Sequence, residues 1–361
     1  MFGGGEVWML RTLAALRARG HHVMLCCRPG GELVFQAHKA GIATLEVNFR
    51  GDFDPLTIAR IAFYLRKYRI DVILTNMDKE LRLAGLAAKI CGRKIVVVPR
   101  RGIDYPLKNT WRYRFSYNYL ASRIISNSIA TKRALLKNAP WLDDERIEVI
   151  YNGIDPEVFR QSDGQHLREK WGVREDEMVL GFVGQLDGRK GIGVLLSAFE
   201  SIRLKVQLAK LVFVGTGPLR EMIESKIRTS VWQKHVILAG LLEDVPAVMN
   251  AIDILLLPSY WEGFGIVLIE AMAAQKPVVS TNISSMPEIV ENGETGYLIK
   301  PGDSEELAYF CTELLLNPKK RREMGEKGQE RVYQNFSESV MINHLEILFK
   351  KELSKKRQKQ S

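Results

Sequence analysis

The 361-residue sequence holds few cysteines: Cys26, Cys27, Cys91 and Cys311. None forms a C-x-x-C pair, and the adjacent Cys26 and Cys27 fall on opposite faces of a predicted strand. That pattern argues against a disulfide framework and leads to the expectation of free thiols in a reducing cytosol. The six histidines show no H-E-x-x-H or other metal-ligand spacing. No run of about 18 apolar residues occurs, so no membrane-spanning helix is expected. No basic stretch followed by an apolar core opens the chain, so no secretory signal is expected. Self-similarity at a solenoid period is also missing.

What is present is enough for two ordinary domains: hydrophobic residues make up 46% and charged residues 26% of the chain. The net charge of +10 is unevenly spread. Residues 1–150 carry 25 Lys/Arg against 13 Asp/Glu, a net of +12, and residues 151–361 carry 27 against 29, a net of −2. Such a field suits an anionic partner. No nucleic-acid-binding motif accompanies it, so no nucleic acid is expected. An anionic membrane surface or a phosphorylated acceptor fits better.

The N-terminal half alternates short apolar strands with helical segments. Strands are expected at 23–27, 42–47, 72–75, 95–99, 124–127 and 147–150, with helices between them at 7–19, 55–68, 81–91 and 131–138. This alternation predicts a mostly parallel, doubly wound sheet. Between residues 100 and 123, basic Arg112, Arg114 and Arg123 interleave with aromatic Trp111, Tyr113, Phe115, Tyr117 and Tyr119. Basic and aromatic side chains together suit a membrane interface; arginine stacked on rings as ordinary core packing is the other reading.

The stretch 253–274, DILLLPSYWEGFGIVLIEAMAA, reads as a buried strand, a glycine loop and a helix starting at Ile266. A loop from a strand's carboxyl end to a helix's amino end is where α/β sheets bind ligands. Free backbone N–H groups there suit phosphate. Glu262 and Glu270 frame this loop. A carboxylate offers two acceptor oxygens to vicinal ribose hydroxyls; taken alone, each glutamate would read as a solvated surface residue. EGFGIVLIE resembles the E-x7-E motif of the retaining GT-B glycosyltransferases, family 4. The likeness continues through 277–308, PVVSTNISSMPEIVENGETGYLIKPGDSEELA, and runs from residue 3 to about residue 345.

The resemblance implies an α/β protein of the GT-B fold: two Rossmann-like doubly wound domains facing a cleft, with a C-terminal helix crossing back to the first. Its domains would be 1–155, binding the acceptor, 156–335, binding a nucleotide sugar, and 336–361, the crossover helix and a basic tail. NGID at 152–155 resembles the family's element at the domain junction, and G-T-G-P at 215–218 its nucleotide-side turn. The family places a hydrophobic strand before the first glycine loop, and here that loop opens at residue 3. The first strand of the N-terminal sheet is therefore expected to be missing, with a start placed upstream of Met1 as the favoured explanation. Residues 350–359, KKELSKKRQK, read as a solvated basic tail able to add attraction to anionic lipid.

The same resemblance assigns the site. Gly3, Gly4 and Gly5 would form a loop closing over the donor phosphates. Lys190 would reach the diphosphate as a point charge. Gln185 stands where the family usually has an arginine; it can donate a hydrogen bond but carries no charge, and Arg189 is close enough in sequence to compensate. The backbone of Gly263, Phe264, Gly265, Ile266 and Val267 would hold the diphosphate, Glu270 the ribose, and Glu262 the donor sugar and its transition state. Backbone groups at 239–242 would flank the base. Asp104 is the candidate near the donor sugar from the N-terminal side, or else a turn residue. The reaction implied is sugar transfer with retention from a UDP- or GDP-sugar to a glycan or lipid-linked acceptor, in bacterial envelope polysaccharide synthesis. Neither metal nor cofactor is expected, and the expected place is the cytoplasm, peripheral on the inner face of the plasma membrane. A catalytically silent nucleotide-sugar-binding scaffold, motivated by Gln185 and the missing strand, is the alternative; a sugar epimerase is disfavoured by the E-x7-E and NGID elements.

Overall fold

The computed structural model describes residues 4–358. The chain forms two compact units. One runs as far as Gly153 and is taken up again at Glu338; the other is Ile154–Ser337.

The first unit contains β1 (Met24–Cys27), β2 (Ala43–Glu46), β3 (Val72–Thr75), β4 (Val96–Arg101), β5 (Ile124–Ser126) and β6 (Ile147–Val149). All pairings are parallel, and they form two sheets: β1 with β2, and β3-β4-β5-β6. Among the described residues, β1 and β3 each keep one edge unpaired. Helices cover both faces of β4, as the period of two demands. Val96 and Val98 face a core with Trp8 and Leu13 of the helix Gly4–Ala18, Ala37 of Glu32–Lys39, and Ile342 and Leu345 of Glu338–Gln358. Val97 faces the opposite core with Ile61 and Leu65 of Pro55–Lys67 and Leu81 and Ala87 of Asp78–Ile90.

Two expectations are corrected here. Gly4 and Gly5 are not a loop: they open the helix Gly4–Ala18, where Asn76 Nδ2 donates to Gly5 O at 3.0 Å. Gly3 lies outside the described residues. The basic tract is solvated at Lys350, Lys351, Lys355 and Arg357, but it is helical and not a loose tail, because the last helix continues to Gln358. One face stays packed past Phe349 through polar contacts: Glu352 is buried and pairs with Arg123 at 3.4 Å, and Lys356 donates to Ile95 O. The aromatic stretch splits into the helix Trp111–Phe115 and a π-helical turn Ser116–Leu120; Tyr117 is buried while Trp111 and Tyr119 are exposed. Core packing thus accounts for Tyr117, and Trp111 and Tyr119 stand on the surface.

The second unit is one six-stranded parallel sheet in the order β12-β11-β10-β7-β8-β9. Its strands are β7 (Met178–Val183), β8 (Ala209–Val214), β9 (Val236–Gly240), β10 (Ile254–Leu257), β11 (Val278–Thr281) and β12 (Gly296–Ile299). The central strand β10, Ile-Leu-Leu-Leu, is wholly buried, as a parallel strand with helices on both faces requires. The order reverses direction between β7 and β10, and the loops after those two strands meet at the carboxyl edge of the sheet. Among the described residues, no helix is long and apolar enough to cross a membrane.

Candidate active site

The site grows from the loop that leaves β10. Pro258 and Ser259 end the strand, and the chain turns through Tyr260–Gly265 into the helix Ile266–Ala273. Gly265 makes that entry with φ +78°, a left-handed conformation glycine adopts without a Cβ penalty. No side chain caps the helix there, so the first-turn amides of Ile266 and Val267 point to whatever lies before them. The loop is held from behind: Ser285 Oγ donates to Gly263 O and to Phe264 O, both at 3.1 Å. Thr281 Oγ1 donates to Ser259 O at 2.6 Å. Glu270 sits in the second turn of the helix and is 9% exposed, so only a narrow part of it faces solvent.

The neighbouring loop leaves β7 through Gly184, Gln185, Leu186 and Asp187, makes a short 3₁₀ turn Gly188–Lys190, and enters the helix Ile192–Lys205 at Gly191. Gly191 has φ +67°, and a Cβ there would collide with Pro258 O at the end of β10. The two loops thus touch backbone to backbone, and Tyr260 N donates to Arg189 O at 2.7 Å. That contact brings together two residues 72 positions apart: Lys190 Nζ donates to Glu262 Oε2. The pair is 14% and 16% exposed, and Gly263 N also donates to Glu262 Oε1 at 3.3 Å. A cation and a carboxylate assigned to different parts of a donor therefore neutralise each other in the free protein.

Arg189 lies beside the uncharged Gln185, with its Nη2 donating to Gln185 Oε1 at 3.4 Å. Asp187 holds the same guanidinium at 2.6 Å, and Trp261 lies under it at 5.4 Å from the ring centroid. A charge is present where Gln185 lacks one, but it is anchored to a carboxylate. Asp187, Trp261 and Ser285 were not among the residues expected; Asp187 and Trp261 flank expected ones in sequence, whereas Ser285 is brought in only by the fold.

In the second unit the structure thus joins Gln185, Lys190, Glu262, Gly263, Phe264, Gly265, Ile266, Val267 and Glu270 around adjoining loops. Gly4, Gly5 and Asp104 belong to the first unit. Asp104 lies in the loop after β4, half-buried, and its Oδ1 meets no hydrogen-bond donor among the described residues. Chemically, the second-unit loops present helix-terminal amides, a lysine and an arginine to an anion, and two carboxylates to hydroxyl groups.

The chain is similar to known proteins over both units. The profile of the glycosyl transferases group 1 matches residues 163–331, and that of glycosyltransferase family 4 matches residues 2–158. N-acetyl-alpha-D-glucosaminyl L-malate synthase of Bacillus anthracis is 28% identical over 274 residues, covering 74% of this chain and 70% of that protein. The capsular polysaccharide biosynthesis glycosyltransferase CapM of Staphylococcus aureus is 27% identical over 308 residues, covering 82% and 80%. Among solved structures, HepE of Anabaena in complex with UDP has a like fold, with a TM-score of 0.83, 23% identity and coverage of 97% and 96%. The chain is a glycosyltransferase of family 4, with the GT-B fold.

Proposed function

We propose that this chain moves a sugar, with retention of anomeric configuration, from a nucleotide-diphosphate sugar to a glycan or lipid-linked acceptor of a bacterial envelope. The observation that carries the reading is the Glu262–Val267 loop, with Lys190 drawn to Glu262 and a helix start behind it that no described side chain caps. The second unit holds the donor: Glu270 accepts from the ribose hydroxyls, while Lys190 and the amides of residues 263–267 take the diphosphate. The first unit holds the acceptor; Asp104 is its candidate catalytic carboxylate, and the helix start at Gly4 and Gly5 offers amides to a phosphate.

In the reaction, the bond from the anomeric carbon to the leaving phosphate oxygen breaks. The acceptor oxygen bonds to that carbon on the same face, and its proton passes to the leaving diphosphate. Charge grows on the leaving group as the bond breaks, and preorganised donors stabilise it. Glu262 faces the positive charge developing on the sugar ring. No metal is needed, so chelator leaves the rate unchanged. UDP bound to the similarly folded HepE and the polysaccharide role in the name of CapM support the donor class and the setting.

A thermal-shift screen against UDP-, GDP- and ADP-sugars tests the donor site, with Glu270→Ala alongside. A shift with one nucleotide that vanishes in the variant supports the assignment. No shift with any of the three would sink it. Product anomers read by NMR decide retention against inversion.

A further inference from the structure

Arg100 and Arg101 follow one another at the carboxyl end of β4 and meet opposite fates. Arg101 is neutralised: its Nη1 donates to both oxygens of Asp78 at 3.2 Å, and Tyr113 and Tyr117 donate to the same carboxylate at 3.2 and 2.6 Å. Arg100 points to the other face and has no carboxylate. Its one hydrogen bond to a described residue runs from Nη2 to Asn152 Oδ1, at 2.7 Å. It forms no ion pair with any described residue, and burial alone, with no neighbouring charge, pushes its pKa down to about 9. The group is still a cation at neutral pH.

The guanidinium is held in place. Its Cζ lies 4.0 Å from the centroid of the Trp8 ring, and Trp8 is itself fixed by Nε1 donating to Met341 Sδ at 3.2 Å. Gly102 leaves the room: a Cβ there would lie 2.8 Å from Arg100 Nη1. Stacking covers one face of the planar group and leaves its N–H edges free for acceptors in the plane. One edge is used by Asn152; the remaining donors have no partner among the described residues, and Arg100 keeps 6% of its surface open. A buried, unpaired cation costs stability, and an apolar residue of like size would be tolerated there as well or better. Its position, at the carboxyl end of a parallel strand, is where α/β sheets take ligands.

We propose that Arg100, stacked on Trp8 and oriented by Asn152, binds an anionic oxygen group, a phosphate or a carboxylate, carried by the acceptor substrate. This rests on the first unit being the acceptor side of a sugar transferase. The guanidinium supplies two parallel donors to such a group, a fit that a lysine ammonium lacks.

The probe is inorganic phosphate, titrated at constant ionic strength against chloride, with the melting temperature as readout. Wild type should gain stability with phosphate, and the gain should persist in saturating UDP and in Lys190→Met. Arg100→Met should abolish the gain without lowering the melting temperature in chloride, and Arg100→Lys should weaken apparent phosphate affinity by roughly tenfold. Circular dichroism confirms that both variants fold. An equal phosphate response in wild type and Arg100→Met, no response in wild type, or a response lost to UDP or to Lys190→Met would each overturn the proposal. A UDP response that fails while the phosphate response survives would instead count against the donor-site reading alone.

Discussion

At the scale of single residues, the Lys190–Glu262 pair decides how the donor site is poised. Each charge is largely buried, and each is neutralised by the other. In the proposed donor site a diphosphate would share Lys190 with Glu262, and the carboxylate so released would face the sugar. Lys190→Ala removes the cation from the diphosphate and leaves Glu262 without it. The expected result is a fall in kcat/KM of on the order of 10²–10³-fold, with weaker binding of the free nucleotide diphosphate. Glu262→Gln keeps shape and hydrogen bonding, so kcat should fall while the Kd of the nucleotide diphosphate stays unchanged. Steady-state kinetics with a parallel binding titration separate the two. Equal loss of nucleotide affinity in both variants would mean that Glu262 acts on the nucleotide and not on the sugar.

At the scale of elements, the two sheets of the first unit differ from the single sheet of the second. Among the described residues β3 pairs on one side only, and Val72, Ile73 and Leu74 are half-buried, whereas its neighbour β4 is buried from Val96 to Arg100. Among those residues β1 likewise pairs only with β2, and Cys26 on it is exposed. Edge strands lose hydrogen bonds on one side and open at lower free energy. Amides of β1 and β3 should therefore exchange with deuterium faster than those of β5, β7 and β8, by roughly tenfold or more; uniform protection across all these strands would contradict the split. Strands and helices were legible from apolar period and turn residues because each depends on neighbours in sequence. Four features were not. Gly4 and Gly5 read as a loop, yet they begin a helix whose next residues, from Val7, carry the apolar period. The tract after Phe349 read as solvated because its charges dominate the composition, while Glu352 turns inward to Arg123, 229 positions away. Ser285 behind the glycine loop, and the unpaired Arg100 beneath Gly102, were invisible because only the assembled sheets set their surroundings.

At the scale of the whole molecule, the uneven charge and the exposed rings of the first 150 residues bear on where the acceptor is met. Trp111 and Tyr119 are 67% and 68% exposed. They are not loose: Trp111 stacks on Phe53 at 6.4 Å and Tyr119 on Phe115 at 6.0 Å, so two ring pairs stand on the surface among Arg112 and Arg114. Rings of this kind insert at a headgroup boundary, and each basic residue near an anionic surface adds about 1 kcal/mol. Exposed charges more than about 8 Å from their partners are screened at physiological salt, so attachment through this field must weaken as salt rises. The chain should sediment with vesicles containing phosphatidylglycerol and remain in the supernatant with purely phosphatidylcholine vesicles. Added salt of about 0.5 M, which shortens screening well below 8 Å, should release it. Trp111→Ala combined with Tyr119→Ala should weaken attachment by on the order of tenfold while leaving nucleotide binding intact. Binding that ignores both salt and lipid charge would rule out the electrostatic field as its cause. Binding that needs the charge but tolerates loss of both rings would place the contact elsewhere on the basic unit.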